Sequence, residues 1–135
     1  METSGNPIIK HKYTSDPTAV DHDDKVYLYT GHDEAPPGTE DYVMNKWLCF
    51  SSSDLIYWEE HQGLLKATDF VWAEGGAFAS KVIKRHGKFF WYVAVNHQTI
   101  KGSAIGVAES SEPAAKFKDA IGAALINREL IILQT

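Results

Sequence analysis

The chain reads as all-β, built from two four-stranded antiparallel units set one after the other. Runs of β-branched and aromatic residues alternate with short turn signals, which is the pattern of strands. The same order of elements also occurs twice, with Lys25-Val-Tyr-Leu-Tyr29 matching Lys88-Phe-Phe-Trp-Tyr92 at a displacement of 63 positions. Phe50-Ser-Ser-Ser-Asp54 matches Val107-Ala-Glu-Ser-Ser111 more loosely. Repeated four-stranded units predict the blades of a partial β-propeller, although the strand count also admits a single eight-stranded sandwich.

The first unit, about 13–62, opens with Pro17-Thr-Ala-Val20, turns at His22-Asp-Asp24 and returns along Lys25-Val-Tyr-Leu-Tyr-Thr30. A run with two prolines and four acids between Gly31 and Tyr42 predicts a surface loop. Lys46-Trp-Leu-Cys-Phe-Ser51 is the third strand, and Leu55-Ile-Tyr-Trp58 is expected to be a short fourth after the turn at Ser51-Ser-Ser-Asp54. In the second unit, about 77–119, Phe78-Ala-Ser-Lys-Val-Ile83 precedes a turn at Arg85-His-Gly87. Lys88 to Val95 and Ala104-Ile-Gly-Val-Ala108 follow, then a turn at Ser110-Ser-Glu-Pro113 and a short strand near Lys116-Phe117. The unbroken apolar run Phe89 to Val95 is expected of a strand covered on both faces by neighbouring blades. The divergent tail, 120–135, shows no third repeat and reads equally as a short helix or an added strand.

Composition narrows the function classes. Hydrophobic residues make up 44% and charged residues 23% of the 135, an ordinary balance for a globular domain. Net charge is −5 with no dense basic block, which argues against nucleic acid as a partner. No stretch approaches the ~20 apolar residues of a membrane span, so no membrane partner is expected. Pro7-Ile-Ile9, ended by Lys10, is too short for a signal peptide, and an exported parent protein would carry its signal upstream. The single cysteine, Cys49, lies in an apolar strand pattern and is expected to be a buried, inert thiol. Four Trp, six Tyr and six Phe suit either sheet packing or sugar stacking.

Several residues could carry chemistry. Asp16, held before Pro17, is expected in extended backbone at the mouth of the first strand, where it either caps a turn or points at a ligand. Gly31-His32-Asp33-Glu34 follows the second strand as a polar loop able to bind hydroxyl groups. It lacks a second His at zinc spacing, and Asp21-His-Asp-Asp24 lacks the Gly and distal Glu of a calcium loop. No metal or cofactor is therefore expected. Phe70-Val-Trp-Ala-Glu-Gly-Gly-Ala-Phe-Ala79 sets Trp72 and Phe78 beside glycines, as either a sugar platform or blade packing, and Glu74 beside it is a minor candidate. No phosphate loop, dinucleotide fingerprint or nucleophile elbow is present.

Asn6-Pro-Ile-Ile9, Tyr13-Thr-Ser-Asp-Pro17, Val26-Tyr-Leu-Tyr-Thr-Gly-His-Asp-Glu-Ala35, Trp72-Ala, Ile105-Gly-Val-Ala and Phe117-Lys-Asp-Ala together resemble the start of glycoside hydrolase family 43. The resemblance runs from about residue 6 to 126. It implies a five-bladed propeller that hydrolyses glycosidic bonds with inversion, as in β-xylosidases and α-L-arabinofuranosidases acting on xylan. It further implies that Asp16 is the general base, that His32 and Asp33 wall a sugar pocket, and that Phe78-Ala79-Ser80 stands where many members have Trp-Ala-Pro, the ring flooring the sugar. Trp72 and Ala79 complete the expected substrate contacts, with xylo- or arabino-oligosaccharides as the carbohydrate partner. The compartment is left open, a secreted or periplasmic parent being the expectation. The family's second Asp and acid Glu come from later blades and have no counterpart in these 135 residues. The expectation is therefore an N-terminal fragment, inactive alone and prone to self-association through exposed blade faces. The alternative is a non-catalytic carbohydrate-binding or interaction module.

Overall fold

The strands in the computed structural model, which describes residues 8–35 and 44–129, begin with β1, Thr14–His22, and β2, Lys25–His32. They join through Asp23 and Asp24, both at positive φ (48° and 63°), as a two-residue primed hairpin requires. The second unit repeats this device. There β6, Ser80–Arg85, turns through His86 and Gly87 (φ 52° and 74°) into β7, Lys88–His97. The primed twist matches that of the flanking strands, so the same local chemistry sets the register of both hairpins.

The first sheet continues with β3, Lys46–Ser52, and β4, Glu59–Lys66, in the order β1-β2-β3-β4. In the second, β7 pairs with β8, Ser103–Ser110, and β8 with β9, Lys118–Asp119. The inner position of this sheet is divided. The short β5, Ala73–Gly75, pairs with the end of β7, and β6 pairs with its beginning. All pairings are antiparallel. Inner strands β1 and β6 lie against each other, so the sheets stand as two adjacent propeller blades.

The fourth strand of the first unit is not where the sequence pointed. Ser52 Oγ accepts the amide of Leu55 (2.8 Å), and Asp54 Oδ1 accepts those of Ile56 and Tyr57 (both 2.9 Å). These local bonds hold residues 52–57 in a turn and leave Leu55, Ile56 and Tyr57 exposed. The strand itself is the polar segment Glu59–Lys66, which has no alternating pattern. The corresponding turn of the second unit uses Ser110 Oγ to accept the amide of Glu112 (3.2 Å). Its fourth strand lies at Lys118–Asp119, just past the predicted Lys116-Phe117.

The main core lies between the blades. Tyr29, Trp47, Phe89, Trp91 and Phe117 interlock there, with Trp91 4.9 Å from Tyr29 and 5.1 Å from Phe117 between ring centroids. Tyr29 donates its hydroxyl to Pro113 O (2.6 Å) across this core, and Trp91 donates Nε1–H to Ser80 Oγ (3.0 Å). Cys49 is fully buried, and burial pushes its thiol up to about 12, as an inert packing residue requires. A smaller core of Ile9, Leu48, Phe50 and Trp58 covers the opposite face of the first sheet.

β7 corrects a second expectation. Phe89, Trp91, Val93 and Val95 are buried against the first blade, whereas Phe90, Tyr92 and Ala94 are only half-buried. The alternation persists because the second face has no packed sheet over it among the described residues. The tail runs along β8, where Ile105 and Ile126 form an antiparallel bridge and Ile105 donates to Ile126 O (2.8 Å). The tail thus has added-strand character at Ile126, and the chain turns helical at Arg128 and Glu129. Residues 1–7, most of the acidic loop (36–43) and the end of the tail (130–135) lie outside the described residues.

Candidate functional site

Asp16 sits inside β1 rather than at its mouth. The ladder passes from Ser15↔Gly31 to Thr18↔Tyr29, so Asp16 and Pro17 together face Thr30 in a β-bulge. Proline cannot donate to a ladder, and the bulge absorbs the lost bond. Asp16 adopts φ 48°, not the extended backbone expected before proline. The neighbouring pairs hold it in this left-handed conformation, with its residue exposed. Gly31 makes the close approach possible, since a Cβ there would stand 2.7 Å from Ser15 Oγ.

His32 and Asp33 occupy the same end of this hairpin. His32 pairs with Thr14, and Asp33 donates its amide to Tyr13 O (3.1 Å). Asp33 Oδ1 accepts the Ala35 amide (3.0 Å), a bond that fixes the start of the loop. His32 Nδ1 is buried, without a hydrogen bond, and 3.7 Å from Glu34 Oε1. Burial lowers its pKa; Glu34 opposes this, and Lys12 and Lys46 reinforce it. The lowering favours a neutral imidazole that can accept or donate one bond to a hydroxyl group.

In the second blade Phe78 and Ala79 flank the start of β6. Phe78 N donates to Ala94 O (3.0 Å), and Ala94 N donates to Ala79 O (2.9 Å). Phe78 is 36% exposed, so its side chain is open to a ligand. Its seat is Gly76, at φ 76°, where an added Cβ would stand 2.5 Å from the ring. Gly76→Ala is therefore expected to cost about 1–2 kcal/mol from the backbone alone and to displace the ring. Urea unfolding and the Phe78 ring signals in NMR check both effects.

Trp72 stands apart from these residues. It is 8% exposed, packs beside Phe70 (5.3 Å) and His97 (5.5 Å) and donates Nε1–H to Asp119 Oδ2 (3.0 Å). That is the geometry of blade packing, so of the two readings of this loop Phe78 alone presents a ring. Glu74 is exposed beside it. Sequence reasoning missed Trp47, whose Nε1–H is donated to Phe78 O (2.8 Å) and ties the first blade to the sugar-floor candidate. Within an apolar strand it reads only as core.

Two adjacent antiparallel blades, with their inner strands β1 and β6 lying against each other, define the opening part of a β-propeller. Residues 4–131 match the model of Glycosyl hydrolases family 43, and the chain belongs to that family. The chain is 26% identical to an arabinoxylan arabinofuranohydrolase of Bacillus subtilis, over 91% of this chain and 27% of that protein. A xylosidase/arabinosidase of Bacteroides ovatus is 27% identical over 87% and 38%. Among solved structures, a family 43 β-xylosidase/α-arabinofuranosidase from a compost microbial metagenome, in complex with xylotriose, aligns with TM-score 0.76. It shares 28% identity over 94% of this chain and 41% of its own. The chain thus spans about a quarter to two fifths of the length of these relatives.

Proposed function

We propose that the protein is an inverting glycoside hydrolase of the β-xylosidase/α-L-arabinofuranosidase kind, acting on xylan-type polysaccharides or their oligosaccharides. Asp16 serves as the general base, taking a proton from the water that attacks the anomeric carbon. His32 and Asp33 form a wall of the sugar pocket, and Phe78 and Ala79 its floor. In this chemistry an acid protonates the leaving oxygen from the opposite face, ~6.5–9.5 Å from the base, with the water between. The observation that carries the reading is Asp16 itself, a carboxylate held out on a bulge of the innermost strand where the family resemblance calls for the base.

Titrating the chain with xylotriose tests the site without requiring turnover. The NMR signals of Asp16, His32 and Phe78 are expected to move together and saturate in the millimolar range. Perturbations confined to the outer strands β4 and β9, or none at all, would refute it. We further propose self-association through the second blade, supported by half-buried Phe90 and Tyr92 and exposed Ile121, Leu125 and Ile126. Light scattering is expected to report species larger than the monomer, and a sharp monomer peak at all concentrations would exclude it.

A further inference from the structure

The register of β3 and β4 sets Lys46 directly opposite Lys66. Like charges facing each other across a sheet are destabilising, and neither ammonium has a carboxylate within 4 Å among the described residues. Two further lysines share the cavity they border, Lys12 and Lys116. These are already paired, Lys12 with Glu60 and Lys116 with Asp69. Glu60 is the one acid among the described lining residues. Burial alone would raise its pKa, but the bonds and charges of Lys12 and His11 outweigh burial and hold the carboxyl below its usual value. The cavity, about 360 Å³, opens where the β3–β4 ladder jumps from Trp47↔Leu65 to Cys49↔His61. In a chain of net charge −5, two cations at one opening with no ion-pair partner among the described residues are a local surplus.

We propose that this cavity is a subsite for a carboxylate-bearing sugar, a uronic acid unit carried by the glycan. The anion would repay the Lys46–Lys66 repulsion with charge-assisted hydrogen bonds. Trp47 and Leu65 supply apolar wall and Gln62 an amide, and the volume suits a small organic ligand better than a bare ion. Trp47 also bonds to the Phe78 carbonyl, so the cavity shares a residue with the candidate sugar floor. The inference rests on the glycan-binding reading above, but its readout at the lysines does not depend on Asp16.

The experiment is an NMR titration of the chain at low salt with glucuronate, with xylose and with inorganic sulfate as separate arms. Glucuronate is expected to shift the Lys46, Gln62 and Lys66 amides with millimolar affinity, and xylose to leave them unmoved. The double substitution Lys46→Gln/Lys66→Gln weakens this at least about tenfold, since it removes two charged donors. It also raises the thermal midpoint, a sign opposite to that of a purely structural pair. Lys46→Arg/Lys66→Arg retains binding, and Asp16→Asn leaves it unchanged. Equal shifts with sulfate would mean an adventitious ion only and overturn the proposal, as would glucuronate binding that survives the glutamine substitutions. Loss of the xylotriose response at Asp16 and Phe78, with glucuronate still bound at the lysines, would fail the catalytic-site reading alone.

Discussion

The 135 residues by themselves are expected to leave aryl xylosides and aryl arabinofuranosides at their buffer rate of hydrolysis. Bond cleavage with inversion needs two carboxyl groups on opposite faces of the sugar, and the resemblance provides only Asp16 within this sequence. General acid and general base assistance are each worth ~10²–10⁴ in rate. Continued by the later blades of a family relative, the same residues are expected to turn over these substrates, and Asp16→Asn to lower kcat by about 10²–10⁴-fold. A colorimetric assay of released phenol reads both cases. Turnover by the chain alone that Asp16→Asn abolishes would overturn the first expectation. A continued enzyme indifferent to Asp16→Asn would remove Asp16 from the base role.

Trp91→Ala is expected to destabilise the chain by about 3–5 kcal/mol, the usual cost of deleting a large buried aromatic. Domain stabilities are ~5–15 kcal/mol, so the variant stands near the limit of folding. Trp91 is fully buried and meets Tyr29 and Phe117 edge-on, with Trp47 at 6.2 Å, so its removal opens a cavity where the two blades meet. It also removes the hydrogen bond that the ring N–H donates to Ser80 Oγ. Trp91→Phe, which keeps a ring but not the donor, is expected to lose less. Tyr13→Ala, at a site 66% exposed, should stay within about 0.5 kcal/mol of the parent. Urea midpoints rank the three. Equal losses for Trp91→Ala and Tyr13→Ala would show that the blades are not held by this aromatic cluster.

Most of the fold was legible because its signals are local. His22-Asp-Asp24 and Arg85-His-Gly87 announce tight turns, and the strands beside them carry β-branched and aromatic side chains. The outer strand β4 was not legible. Glu59–Lys66 is a strand because β3 offers it a ladder and Leu64 and Leu65 reach the core, while the more β-like Leu55-Ile-Tyr57 is captured by the Asp54 carboxylate. Long-range pairing overrode propensity there, and a short-range turn overrode it one segment earlier.

For the site, the sequence determined the residue types: a carboxylate before Pro17, a histidine after the second strand, and a ring beside a pair of glycines. Tertiary structure decided their placement. It turned Asp16 into a left-handed bulge, put Trp72 into packing while leaving Phe78 open, and set Lys46 against Lys66 across a broken ladder. The physical reason is the same in each case. Side-chain chemistry is carried by one residue, but exposure, register and the sharing of hydrogen bonds depend on which distant strand lies alongside.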